Sequence, residues 1–366
     1  MEATKFDVLI DIFLYITALI PLRENLTTPG VQRKNNESLS FLCVLLFCLF
    51  AYWGGDYFHY QEGFDIVKNS PDAELSFEDI YYWVISLTPT YLTFRLVVWG
   101  GCLLLVYMSF KRLNIPIGVG ILFFVSLSLM RISYARASLA MAIMSYGYVL
   151  FLLNEGSKIR QILSALIILS SFFFHKSAYF GIAMIVMSYF MLIMQNKKTG
   201  FLFLSLVFIG SFAIVSMYID NFMILDSEDS ALNIQVGQKY LGRDVGDASI
   251  GGLIRNYLEM VPYYMGLIIY FRLYKNRLLH ELPKPILAVI YFFLSIIIVA
   301  TVFSFDFGGL NTQFLYRRFM RFNLIPTAIF LSYCYAYDFE RKWCKSTLYV
   351  GIIVSLYTLF YSYHVS

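Results

Sequence analysis

Charge is scarce in this chain. Only 14% of its 366 residues are Asp, Glu, Lys or Arg, against roughly 25% in an ordinary soluble protein. With a mean hydropathy of +0.67, that shortage excludes a water-soluble globular domain. Alternation of polar and apolar residues is missing as well, which excludes a transmembrane β-barrel. The apolar residues instead form unbroken runs of about 16–20, the length of helix that crosses about 30 Å of hydrocarbon. Cysteine is sparse: Cys43, Cys48, Cys102, Cys334 and Cys344 show no metal-ligand spacing and read as buried small hydrophobes. There is no Walker A pattern, no G-x-G-x-x-G after a strand, no H-E-x-x-H and no C-x-x-C. Chemistry driven by a bound nucleotide is therefore not expected, and neither a cofactor nor a metal site is called for. The opening Met1–Asp7 lacks the basic n-region and cleavage site of a signal peptide, so the first apolar run is expected to remain as a helix.

What is present is an all-α, polytopic integral membrane protein. Runs and breaks predict about twelve spans, at 6–22, 39–54, 91–110, 115–130, 134–153, 160–174, 178–194, 201–219, 253–271, 285–303, 319–337 and 346–363, in one transmembrane domain over 1–366. Lysine and arginine fix the orientation. Every second connection is basic, carrying Arg23/Arg33/Lys34, Lys111/Arg112, Lys158/Arg160, Lys197/Lys198, Arg272 to Lys284, or Arg341/Lys342/Lys345. That set is placed in the cytoplasm, which leaves two longer loops, about 55–90 and 220–252, and both termini outside. The net charge of +4 belongs to the cytoplasmic loops and carries no implication of nucleic acid.

A second group of cations runs against that rule. Arg131, Arg136, His175, Lys176, Arg255, Arg317, Arg318 and Arg321 all fall on the outer side, at span ends instead of loop tips. A cation at the membrane boundary is costly and is retained for a partner or a ligand. Four hairpins are accordingly expected to converge on one cationic pocket. Arg136 opens a small-residue run, Ala137, Ser138, Ala140, Ala142, Ser145 and Gly147, which lets helices approach closely and would bury the guanidinium. Arg317 and Arg321 share a helix face, with Arg318 to the side. Guanidinium groups bind phosphate oxygens bidentately, so the ligand expected is a phosphate or pyrophosphate. Arg131 and Arg136 can equally cap helix ends or snorkel to headgroups.

His175, in Phe174-His175-Lys176-Ser177, suits a general base and also suits a histidine that hydrogen-bonds between helices. Asp56 follows Gly54-Gly55 and could orient or deprotonate a sugar hydroxyl, or be an ordinary solvated acid. Tyr57 and Tyr60 beside it, and the stretch Phe77 to Val84, have the mixture of aromatics and acids that suits sugar recognition. It suits an interfacial aromatic belt equally well.

Gly55-Asp56-Tyr57…Tyr60…Phe64, Arg131…Arg136-Ala137-Ser138-Leu139-Ala140, Phe174-His175-Lys176-Ser177-Ala178 and Tyr316-Arg317-Arg318…Arg321 together resemble, in order and spacing, the landmarks of EpsG-type membrane proteins. The resemblance implies a Wzy-type polysaccharide polymerase, open to a GT-C-like architecture, in the bacterial inner membrane. Such a glycosyltransferase moves a growing glycan from undecaprenyl pyrophosphate onto the next lipid-linked repeat unit, making O-antigen for lipopolysaccharide or an exopolysaccharide. On that reading Arg131, Arg136, Lys176, Arg255, Arg317, Arg318 and Arg321 would hold pyrophosphate. His175, Arg136 and Asp56 would serve the chemistry, and Asp56, Tyr57 and Tyr60 would contact the acceptor sugar. A chain-length regulator and a flippase are the partners implied. The rival readings are a flippase for lipid-linked oligosaccharide, which predicts cations lining a path across the bilayer, and a ligase or acyltransferase of surface glycans.

Overall fold

The computed structural model describes residues 5–26, 34–51, 56–70, 78–127, 135–175, 177–194, 257–302, 316 and 319–365. Among these the chain forms thirteen α-helices and no strand. They are α1 (Lys5–Leu19), α2 (Lys34–Phe50), α3 (Asp56–Asn69), α4 (Asp79–Leu87), α5 (Tyr91–Arg112), α6 (Ile117–Leu127), α7 (Ala135–Leu153), α8 (Lys158–Phe174), α9 (Ala178–Met194), α10 (Val261–Lys275), α11 (Lys284–Val302), α12 (Leu324–Ala336) and α13 (Arg341–Val365). Eleven of the twelve apolar runs coincide with a helix, and the run at 201–219 lies outside the described residues. The remaining helices, α3 and α4, occupy the aromatic and acidic stretch between α2 and α5.

Among the described residues, four helical stretches are long and apolar enough to cross a membrane: Tyr91–Arg112, Arg136–Leu153, Lys284–Thr301 and Arg341–Phe360. The shorter α6 and α12 span 11 and 13 residues, or about 17 and 20 Å at 1.5 Å per residue. α12 falls short of the hydrocarbon thickness; α6 is buried along its described length and α12 from Leu324 to Tyr335. The molecule is thus built as a helical membrane protein whose buried helix α12 is shorter than the apolar run in which it lies. α8 shows the inverted pattern expected in lipid: Ile159, Ile162, Leu163, Leu166, Leu169 and Phe173 are exposed, while Ser164 and Ser171 point inward and are buried.

Local chemistry sets the ends of these helices. Thr90 and Thr93 cap α5 reciprocally, the Thr93 N–H donating to Thr90 Oγ1 at 3.3 Å and the Thr90 N–H to Thr93 Oγ1 at 3.0 Å. α5 stops at a tight turn in which Asn114 takes φ 56°, and Pro116 leads into α6. Pro262 lies in the first turn of α10 and Pro326 in that of α12, where a missing N–H costs nothing.

The small-residue run of α7 does bring a neighbour close. A Cβ added at Gly147 would lie 3.0 Å from the Ile168 backbone nitrogen and 2.9 Å from its side chain, so the α7–α8 approach depends on glycine there. At the other end of the chain Gly351 of α13 approaches the Ser126 carbonyl of α6, where a Cβ would come within 2.7 Å. The apolar interior is one continuous cluster running from Tyr15 in α1 to Leu359 in α13.

Side-chain contacts sort the turns into two ends of the bundle. At one end Tyr337 donates to the Asn114 carbonyl at 2.7 Å, Arg272 pairs with Glu340 at 2.7 Å, and Lys284 pairs with Glu155 at 2.7 Å. These contacts gather the α5/α6, α7/α8, α10/α11 and α12/α13 turns, all of which belong to the basic set. The opposite end holds the starts of α5, α7, α9, α10 and α12. There Arg95, buried one turn into α5, donates to the carbonyls of Cys48 and of Ala51 at the end of α2, the latter at 3.1 Å. An arginine inside a span is tolerated here because it satisfies helix-terminal carbonyls, where the backbone carries partial negative charge.

Candidate functional site

Arg136 is the second residue of α7, at the end opposite the basic turns. Its Nη1 lies 2.8 Å from Glu78 Oε2, and the two side chains are 15% and 12% exposed. Its Nε donates to the Tyr60 hydroxyl at 3.2 Å while the guanidinium carbon sits 5.4 Å from the centre of the Tyr60 ring. The Tyr81 hydroxyl donates to the Arg136 carbonyl at 3.3 Å. The start of α7 is therefore clamped to α3 through Tyr60 and to the α4 entrance through Glu78 and Tyr81. Tyr60 and Tyr81 are themselves buried, with the Tyr81 ring edge-on to Phe94 and Phe174. Burial first, and then the neighbouring Tyr60 and Glu78, push the Tyr81 phenol well above its ordinary value. It stays protonated and acts as a donor.

The Tyr81–Phe174 contact ties this clamp to the α8/α9 turn, where His175 ends α8 in extended conformation. His175 Nδ1 accepts the Ser177 N–H at 3.1 Å and is also in contact with the Ser177 hydroxyl. A backbone N–H can only donate, so in the neutral ring the proton belongs on Nε2. A base role for this imidazole would then require the Ser177 contacts at Nδ1 to break.

From this turn α9 leads to the residues before α12. Phe180 stacks on Phe319 with ring centres 3.9 Å apart and meets Phe322 at 5.6 Å. Arg321, half-buried, sits between those two phenylalanines in sequence and so is carried to the same end. Tyr316 joins the group through its hydroxyl, 2.7 Å from that of Tyr264 in α10; burial and that hydrogen bond raise its pKa.

The structure thus brings Tyr60, Arg136, His175 and Arg321 to one end of the bundle. Asp56 and Tyr57 open α3 one turn before Tyr60. Arg131, Lys176, Arg255, Arg317 and Arg318 lie outside the described residues.

Three residues at this end escaped the sequence reading. Glu78 stands in a stretch crowded with acids, and no local signal separates it from Asp72, Glu74 or Asp79. Asn323 and Thr327, one helical turn apart at the start of α12, are fully buried, and neither side chain has a hydrogen-bond partner among the described residues. Buried polar atoms of that kind are rare in folded proteins. Their signal was polarity within an apolar run, which is weak beside that of an arginine.

The family model for the EpsG family matches residues 38–366, nearly the whole chain. The chain belongs to the EpsG family. EpsG proteins are Wzy-like polysaccharide polymerases, so the general role is that of a membrane protein of polysaccharide polymerisation. No curated protein and no solved structure matches the chain. All the described site residues, from Tyr60 to Arg321, fall within the span of the EpsG match.

Proposed function

We propose that this EpsG protein is a nucleotide-independent glycosyltransferase that joins oligosaccharide repeat units carried on undecaprenyl pyrophosphate, at the outer face of the bacterial inner membrane. The observation that carries the reading is Arg136: a guanidinium at the mouth of a membrane-crossing helix, mostly buried, and held in place by a phenol and a carboxylate. Such a group is oriented before any ligand arrives, and pre-set donors act where charge develops. In glycosyl transfer from a pyrophosphate carrier, negative charge develops on the leaving oxygen as the glycosidic C–O bond breaks. Arg136 and Arg321, with Arg131, Lys176, Arg255, Arg317 and Arg318, would receive that charge. Tyr60, Tyr57 and Asp56 would bind the acceptor sugar, and His175 would stand beside the reacting groups. The product would be O-antigen or an exopolysaccharide, with a flippase supplying substrate and a length regulator ending the chain.

The test is made on the purified full chain in lipid nanodiscs, given one synthetic undecaprenyl-pyrophosphate repeat unit and sized by mass spectrometry. A ladder of repeat multiples with released undecaprenyl pyrophosphate is expected. Binding of the substrate without any longer product would overturn the polymerase reading in favour of a flippase or a ligase. Adding lipid A core oligosaccharide would then separate those two.

A further inference from the structure

Arg136 already holds an anion. The carboxylate of Glu78 occupies its Nη1 at 2.8 Å, on the side of the guanidinium that faces the entrance of α4, while Nε is taken by Tyr60. A pyrophosphate that uses Nη1 must compete with that carboxylate, because an arginine offers its N–H donors in one fixed plane and both Nη1 and Nε are already engaged. Both partners are largely withdrawn from water. Breaking such a pair without replacement leaves two buried charges uncompensated, whereas exchange for another anion keeps the guanidinium paired and leaves only the carboxylate to be compensated. The arrangement therefore favours exchange over simple opening.

We propose that Glu78 is the general base of the reaction, held in reserve on Arg136 until the pyrophosphate of the donor lipid displaces it. This rests on the polymerase reading given above. In the resting protein the carboxylate is engaged by the guanidinium and is unavailable to a hydroxyl. When the donor binds, two pyrophosphate oxygens take over the guanidinium. Glu78, displaced but still held by the backbone at the start of α4, lies within a side chain's reach of the reacting end.

The step then balances. The acceptor hydroxyl oxygen forms a bond to the anomeric carbon of the donor glycan, and its proton passes to Glu78. The bond from that carbon to the phosphate oxygen breaks, and its electron pair leaves with undecaprenyl pyrophosphate on Arg136. Departure of the lipid returns Glu78 to the arginine once the carboxyl has released its proton to water. The base is thus exposed only when the donor is in place.

The test uses the full chain in nanodiscs with two readouts, binding of inorganic pyrophosphate by calorimetry and extension of the synthetic repeat unit. Glu78→Gln removes the competing charge and keeps the shape of the side chain. It is expected to bind pyrophosphate several-fold more tightly than the wild type while extending glycan at least about a hundred-fold more slowly, the scale of a lost general base. Extension at the wild-type rate, or pyrophosphate binding that is unchanged or weaker, would overturn the proposal.

Glu78→Asp retains the carboxylate one methylene shorter and guards against a folding failure of the glutamine variant. Its kcat is expected to fall with KM for the donor little changed, and a kcat equal to wild type would count against the base role. If the wild type builds no ladder, the polymerase reading and the base role fall together, and tighter pyrophosphate binding by Glu78→Gln would leave the anion exchange standing. If the wild type builds one and Glu78→Gln matches it, the polymerase reading stands and the role of Glu78 is rejected.

Discussion

The two ends of the bundle use ion pairs in opposite ways. At the basic end Lys284–Glu155 is 56% and 33% exposed, Arg341–Asp338 is 37% and 70% exposed, and Arg272–Glu340 is 43% and 10% exposed. These pairs sit at turns, and each keeps at least one of its two side chains more than a third open to water. At the other end Arg136–Glu78 is 15% and 12% exposed, so both charges have given up most of their hydration. Surface pairs of the first kind contribute about 0–1 kcal/mol. A pair of the second kind is often no more stabilising than two apolar residues of the same size, yet it is expensive to break. Stability alone therefore explains the basic end and does not explain the other, where a charge kept at such cost points to a ligand.

The comparison breaks most sharply at Arg136. Arg136→Ala is expected to lower glycan extension by at least about a hundred-fold, and to destabilise the protein by about 3–5 kcal/mol because Glu78 is left buried without its guanidinium. The double variant Arg136→Ala/Glu78→Gln should regain part of that stability and none of the activity. Recovery of extension in the double variant would show that the pair serves packing alone.

Asn323 offers the next largest effect, in the opposite direction. Its two amide atoms are buried without partners among the described residues, a state that costs about 1–3 kcal/mol. Asn323→Leu should accordingly raise the melting temperature in detergent. A lower melting temperature would mean that these atoms are satisfied by bound water in the membrane. Tyr60→Phe is milder: it removes the acceptor of the Arg136 Nε–H and keeps the ring beneath the guanidinium, so thermal unfolding should show a loss of about 0.5–1.5 kcal/mol.

Much of this was legible in sequence wherever a residue contradicted its surroundings. Arg136 and Arg321 stand out because cations interrupt apolar runs, and Gly147 was readable as a close approach because it lies in a run of small residues. Glu78 was not readable, since an acid among acids carries no contrast, and only the fold selects it from its neighbours. The length of α12 was misjudged for a related reason. Mostly apolar sequence continues upstream from Leu324 to Phe319, but Pro326 suits a first helical turn, and the backbone of Phe322 and Asn323 closes short turns onto Phe319 and Met320 instead. Hydropathy sees the run, whereas proline marks where the helix begins. Arg95 was passed over inside a predicted span because its partners are carbonyls of α2, which no side-chain pattern reveals.

The smallest expected effect lies at Lys284, and it sharpens the contrast because the geometry there looks favourable. Lys284 and Glu155 are only 2.7 Å apart, a shorter separation than the 2.8 Å of Arg136 and Glu78. Yet Lys284 is the first residue of α11, where the helix dipole disfavours a positive charge by about 0.3–1 kcal/mol. More than half of its side chain is open to solvent, so salt screens what attraction remains. These two effects oppose the pair, and Lys284→Ala should move the unfolding free energy by less than about 0.5 kcal/mol, with an unchanged glycan ladder. The wild-type and variant melting curves should also converge as salt is raised. A loss as large as that at Arg136 would mean that distance, and not burial, determines what an ion pair contributes in this protein, and the inference drawn from the buried pair would lose its basis.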